Sequence, residues 1–167
     1  MIPTGKVAIV AYDAGGGEIV SSWARRHMTN GVAVLGGPAI EIFNRKVPNI
    51  PTAHLVEAVC ECQWVLTGTG NHELEFQAIA ESRKVGRYVV AFLDHWTEYK
   101  SRFTRGGEML LPDEIWVGDQ DALRLVRQFF PDVTSTYVSN PYWQDALDQF
   151  NKLDTGCEDT TLLFVST

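Results

Sequence analysis

The chain has little cysteine, and what it has is poorly spaced for chemistry. Three cysteines occur in 167 residues: Cys60 and Cys62 within a segment of helical pattern, and Cys157 alone near the end. That number excludes a disulfide framework, and a Cys-x-Cys with no second Cys or His pair is poor zinc spacing. No metal or other cofactor is therefore assigned, and the two helical cysteines read as small buried hydrophobes. Long hydrophobic runs are missing too. None approaches the roughly 18 residues of a membrane span, and the apolar stretch in the amino-terminal MIPTGKVAIVAY is too short for a secretory signal. The expectation is a cytoplasmic protein. Positive charge is scarce: 14 Lys plus Arg against 21 Asp plus Glu leave a net charge of −7. Such a surface repels polyanions and argues against a nucleic-acid partner. The local exception is Lys100, Arg102 and Arg105, three cations in six positions. They read either as the holder of an anionic ligand, with Arg102 its best candidate, or as a solvated face making salt bridges. Internal repeats and low-complexity tracts are absent.

What is present is a rhythm of short apolar runs and helical patterns. The length suits one well-buried core. Lys6–Tyr12 is a near-continuous apolar run, as in a strand covered on both faces. It breaks into Asp13-Ala14-Gly15-Gly16-Gly17. A helix is expected over Glu18–Asn30, with Ile19, Val20, Trp23, Ala24 and Met28 on one stripe and Asn30-Gly31 as its stop. Gly31–Leu35 reads as a second strand and Ala39–Phe43 as a short third one, before a loop with two prolines. Thr52 is placed to cap a helix over Ala53–Cys62. Strand Trp64–Thr67 precedes a helix over His72–Val85. Strands Tyr88–Leu93, Glu114–Val117 and Thr134–Val138 follow, with a helix from Asp119 or Asp121 through Phe130 and another over Pro141–Leu153, with proline in its first turn. A polar linker over residues 154–160 leads to a last strand, Thr161–Val165. Strands alternating with helices predict βαβ units. The expected fold is α/β, a Rossmann-like three-layer α/β/α sandwich on a mostly parallel sheet of about six or seven strands. Residues 1–153 would form the domain, and residues 161–167 either its last strand or the opening of a second domain.

In such sheets ligands bind at the carboxyl ends of the strands, so the strand ends hold the candidate site. The most informative are YVVAFLDHW at 88–96 and LPDEIWVGD at 111–119. The first delivers Asp94, His95 and Trp96 together. A histidine can accept a proton near neutral pH, which makes His95 and Asp94 the catalytic candidates. Adjacent strand residues point to opposite faces, so Asp94 need not orient His95. Asp13, Gly15, Gly16 and Gly17 join the first strand to the first helix. They form either a tight turn or a loop whose bare backbone and helix N-terminus touch a ligand; they match neither G-x-G-x-x-G nor a P-loop. Thr67, Gly68, Thr69 and Asn71 end the next strand and offer hydroxyl and backbone hydrogen bonds, with Asn71 as a plausible N-cap. His72-Glu73-x-Glu75 lacks the second histidine of a zincin helix. Asp119-x-Asp121 looks like a short metal-binding acidic motif, but acids at a helix start also cap N–H groups.

Taken as a series, TGTGNHELEFQA, VVAFLDHW, LPDEIWVGD and SNPYWQDAL resemble the amino-terminal domain of GT-B-fold sugar-nucleotide enzymes. The relatives in view are GT-B glycosyltransferases and the UDP-N-acetylglucosamine 2-epimerases. The order and spacing run across roughly residues 5–150, with Ser139-Asn140-Pro141 as the last of the strand ends. The resemblance implies a Rossmann-like half that contacts the acceptor or the sugar, while a carboxyl-terminal half holds most of the nucleotide. It implies a nucleotide sugar and a sugar acceptor as ligands in polysaccharide or glycoconjugate assembly. His95 or Asp94 would deprotonate the acceptor, and Asp13, Gly15–Gly17, Thr67–Thr69, Asn71, Trp96, Arg102 and Asn140 would line the substrate. The nucleotide half is missing from this sequence, so transfer needs a second domain or a partner subunit. The competing reading is a non-catalytic sugar- or nucleotide-binding module that pairs with a separate catalytic half. A receiver-like domain fits less well, because Thr67–Gly70 offers no acid. Trp64, Trp96, Trp116 and Trp143 are either core residues or, where exposed, material for a homo-oligomer interface.

Overall fold

The computed structural model describes residues 2–152. In chain order, β1 (Val7–Ala11) leads into α1 (Ala14–His27), β2 (Gly31–Leu35), α2 (Ala39–Lys46) and α3 (Leu55–Glu61). β3 (Trp64–Thr67), α4 (Glu73–Lys84), β4 (Tyr88–Leu93) and the single turn α5 (Tyr99–Arg102) follow. β5 (Thr104–Arg105) and β6 (Glu108–Met109) make a small antiparallel ribbon. Gly106 and Gly107 turn it with φ of 56° and 84°, the doubly positive φ of a tight hairpin. The chain then runs through β7 (Glu114–Val117), α6 (Gln120–Phe129), β8 (Thr134–Tyr137) and α7 (Pro141–Phe150).

Six strands form one sheet in the order β2-β1-β3-β4-β7-β8, every neighbouring pair parallel. This is the Rossmann-like α/β/α architecture. The alternation of strand side chains feeds two cores. Val7, Ile9, Leu66, Phe92 and Trp116 face α1 and α2, while Ala8, Val10, Val65, Ala91 and Ile115 face α3, α4, α5 and α6. β1, β3 and β7 are buried at every position, which is why they read as apolar runs, broken only by Thr67 at the end of β3 and Glu114 at the start of β7. α7 is held to α1 by charge: Asp145 is buried and meets Arg25 and Arg26, and Arg26 also reaches Asp148. Burial pushes the Asp145 pKa upward, but hydrogen bonds from Ser22, Arg25 and Arg26 outweigh it and hold the carboxyl below its ordinary value.

Four local expectations are corrected. Ala39–Phe43 is the first part of a helix: Ala39, Ile42 and Phe43 fall at helical spacing and are buried, a pattern too short to separate from a strand by periodicity. The first helix starts at Ala14, so Gly15, Gly16 and Gly17 are its opening turns instead of a loop. Glycine costs a helix about 1 kcal/mol per residue against alanine, and tertiary contact overrides that penalty here. The N-cap of α4 is His72, which accepts from the Leu74 N–H, and Asn71 is not the cap. Thr52 pairs with Ala33 in an isolated parallel bridge, and α3 starts later, after His54. The 154–160 linker and the strand expected at Thr161–Val165 lie outside the described residues.

Candidate functional site

The strand order reverses between β1 and β3, the usual crevice for a ligand in an open parallel sheet. Here that crevice is filled by the chain itself. A Cβ added at Gly68 would lie 3.0 Å from the Gly16 Cα, and one at Gly16 would lie 3.2 Å from the Gly68 Cα. Gly17 is pressed in the same way on Ala39. The glycines thus let α1 seat against the β3–α4 loop and α2. Asp13 stays in that neighbourhood, its Oδ2 accepting the Asn71 N–H at 2.8 Å. Thr67 is fully buried at the end of β3.

One strand further along, the sheet edge opens. β4 ends at Leu93, and the chain turns through Glu98, whose φ of 59° is left-handed, into α5. This return brings Arg102 beneath Asp94. Arg102 Nη1 donates to Asp94 Oδ1 at 2.8 Å and to the Thr69 carbonyl at 2.7 Å, while its Nε donates to the Thr97 carbonyl at 3.2 Å. The Thr69 hydroxyl donates to the same Asp94 oxygen at 3.2 Å. The two charged side chains are only 11% and 16% exposed, so the pair is well shielded from screening. Asp94 Oδ2 lies against Gly15, where any Cβ would collide with it. Arg105 is likewise spent internally, donating to the Gly70 and His72 carbonyls at 3.0 and 3.3 Å.

Above this network lies a cleft of about 700 Å3 between the first turn of α1, the ends of β4 and β7, and the starts of α6 and α7. Trp96 is 60% exposed yet fixed, because its Nε1–H donates to Asp119 Oδ2 at 2.8 Å. The other Asp119 oxygen accepts the Ala122 N–H at 2.7 Å and caps α6. Asn140 caps α7 through the Tyr142 and Trp143 N–H groups and packs on Gly118. Trp143, 62% exposed, gives the cleft a second indole. His95 is exposed at the rim; its Nδ1 accepts the Trp96 backbone N–H at 3.2 Å. In the neutral ring this leaves the proton on Nε2. Burial, and next the Asp119 carboxylate, raise the pKa of the nearby Tyr99 hydroxyl.

Of the residues singled out from the sequence, the cleft gathers Gly15, Asp94, His95, Trp96 and Asn140. Thr69 and Arg102 support it from below. Asp13, Gly16, Gly17, Thr67, Gly68 and Asn71 do not line it. Asp119 and Asp121, weighed in the sequence as a metal-binding motif or a helix cap, also line it, and the sequence reading of the site omitted Glu18, Tyr142 and Trp143, all of which do. Trp143 carried a usable signal: it stands two residues after a proline that opens a helix, at a strand end. Among the described residues, no group of three or more His, Cys, Asp or Glu is placed to hold a metal ion, and no helix is long and apolar enough to cross a membrane. No family model, curated protein or solved structure matches the chain.

Proposed function

We propose that the cleft seats a saccharide and that the chain is the acceptor-side half of a GT-B-type glycosyltransferase, acting with a nucleotide sugar in polysaccharide or glycoconjugate assembly. The observation that carries this reading is Trp96, a large flat ring held at the cleft mouth by Asp119 instead of being packed away. An aromatic face set beside a few polar groups is the usual make-up of a pocket for a small polar ring. The polar lining supports the acceptor over the nucleotide. Glu18, Asp94, Asp119 and Asp121 line the cleft and, among the described residues, no Lys or Arg does. Glu18 is paired with Arg45 and Lys46, Asp94 with Arg102 and Asp121 with Arg124, which leaves Asp119 as the lining carboxylate without an ion-pair partner among the described residues. Carboxylates accept hydrogen bonds from sugar hydroxyls, and an unpaired one repels a diphosphate. The α6 and α7 N-termini, which could otherwise hold phosphate, are already capped by Asp119 and Asn140, and the α1 N-terminus, which has no side-chain cap, has the Asp94 carboxylate against Gly15 in its first turn. The nucleotide then belongs to a second lobe.

His95 is the base of this proposal: its Nδ1 gives up the Trp96 N–H and takes the proton of an acceptor hydroxyl as that oxygen attacks the anomeric carbon and the bond from that carbon to the nucleoside diphosphate breaks. Asp94, committed to Arg102 and Thr69, is a positioning residue for the loop that carries His95. A second reading, a binding module paired with a separate catalytic chain, is favoured by one feature: Trp143, Leu147 and Phe150 make an exposed apolar stripe on α7. Calorimetry against free oligosaccharides and UDP-, GDP- and CMP-linked sugars tests the common core of both readings. An oligosaccharide should bind, and Trp96→Ala should weaken it about tenfold or more, roughly 1.4 kcal/mol. Unchanged affinity in that variant, or no saccharide binding at all, refutes the site. With the second lobe supplied, His95→Ala should slow turnover by about 100-fold or more; full turnover in the variant removes His95 as the base.

A further inference from the structure

The cleft at the carboxyl edge of the sheet sets open indole surface beside an unbalanced negative charge. Trp96 and Trp143 both line it, and both are exposed. Trp96 donates its Nε1–H to the Asp119 carboxylate at 2.8 Å, and a ring that donates to an anion is polarised toward a more negative face. Indole is already the best aromatic surface for a cation. A neighbouring ring in the same wall holds one: the Lys46 ammonium stands 5.0 Å from the centroid of Tyr142. Three of the four lining carboxylates, Glu18, Asp94 and Asp121, have cations of their own. Asp119 accepts only the uncharged N–H groups of Trp96 and Ala122. Each of its oxygens accepts one hydrogen bond there and keeps room for another. The positive end of α6 offsets about half of its charge. The remainder is balanced by no cation among the described residues, and a neutral sugar would leave it so.

We propose that the saccharide of this cleft is an amino sugar with a free, unacetylated amine, bound as its ammonium. The inference rests on the saccharide reading and narrows its substrate class. The ammonium donates to Asp119 and lies against the Trp96 face, so that a charge-assisted hydrogen bond and a cation–π contact act on one group. An acetylated nitrogen is neutral and bulkier, and gains neither.

The test is calorimetry at neutral pH with two disaccharides that differ by one acetyl group: chitobiose acetylated on both nitrogens, and the same disaccharide with one amine free. The free-amine form should bind about tenfold or more tighter. Asp119→Asn removes the charge and keeps an acceptor for the α6 cap, and should cut that preference to about twofold or less. Trp96→Leu, at an exposed position, keeps an apolar side chain and deletes the ring face; it should lower the preference about threefold, and it carries the test if Asp119→Asn loosens α6. Glu61→Gln removes the same charge at the far edge of the sheet, where Glu61 pairs with Lys6, and should leave the preference in place. Equal affinity for the two disaccharides overturns the ammonium and leaves the saccharide reading standing. A preference that survives both Asp119→Asn and Trp96→Leu, or that falls as far in Glu61→Gln, also overturns it, because the attraction then belongs to the overall charge of the chain. Failure of both disaccharides to bind overturns it as well, and the saccharide reading falls with it only if the free oligosaccharides also fail to bind.

Discussion

Asp94 offers the sharpest test, because the structure gives its carboxylate to Arg102 and not to the adjacent His95. Removing one partner of a buried ion pair costs about 3–5 kcal/mol. Here the side chains keep 11% and 16% exposure, and the Thr69 and Thr97 carbonyls remain as acceptors for the guanidinium. Asp94→Ala should therefore cost less, about 2–3 kcal/mol. For a chain of this size that lowers Tm by about 4–12 °C. Asp94→Asn keeps an acceptor for Arg102 and loses only the charge, so its cost should be about 1 kcal/mol. A double-mutant cycle with Arg102→Ala, read by urea unfolding, should show a coupling of about 1.5–3 kcal/mol. His95→Ala alters an exposed rim residue and should change stability by no more than about 0.5 kcal/mol. Its coupling to Asp94 should be equally small. A stronger Asp94–His95 coupling than Asp94–Arg102, or an Asp94→Ala protein as stable as wild type, would show that the carboxylate faces the other way and that the positioning argument is wrong.

Two further outcomes follow from the packing at the end of β1. Gly68→Ala drives a Cβ to 3.0 Å from the Gly16 Cα, a backbone atom that cannot swing aside; thermal melting should show a loss of about 1–3 kcal/mol, and an unchanged Tm would mean that α1 does not sit against this loop. Glu75, buried and accepting the Tyr12 N–H at 2.7 Å, has its pKa raised above 4.5 by burial, with Asp13 adding to the shift. A carboxyl whose folded pKa exceeds its unfolded one binds more protons when folded, so stability rises as pH falls through the folded value. Glu75→Gln keeps an acceptor for Tyr12 and removes the charge, so it should raise Tm at pH 8, with the gain shrinking toward pH 5. A gain independent of pH would rule out the titration of Glu75 as its source.

The parallel sheet was legible because its strands are buried on both faces. VAIVA, WVLT and EIWV are apolar apart from Thr67 and the buried, hydrogen-bonded Glu114, and helical patterns stand between them. The strand ends were legible for the same reason, since burial stops where Asp94, Asp119 and Asn140 begin. The chemistry of those ends was not. Asp94 beside His95 reads along the chain as a pair, yet the partner that matters, Arg102, returns only through the left-handed turn at Glu98. The glycines after β1 read as either a tight turn or a place for a ligand; Gly16 holds the backbone of another loop and Gly17 packs on Ala39, while Gly15 lines the cleft.

The sequence by itself determined the layered architecture and the edge of the sheet where polar groups collect, because burial imposes a pattern on neighbouring residues that composition cannot hide. Only the tertiary structure decided which of those groups face open space. Gly16 against Gly68 shuts the crevice at the strand reversal, and Trp96 pinned by Asp119 opens the next one. Both depend on distances between segments tens of residues apart, and no local pattern encodes those distances.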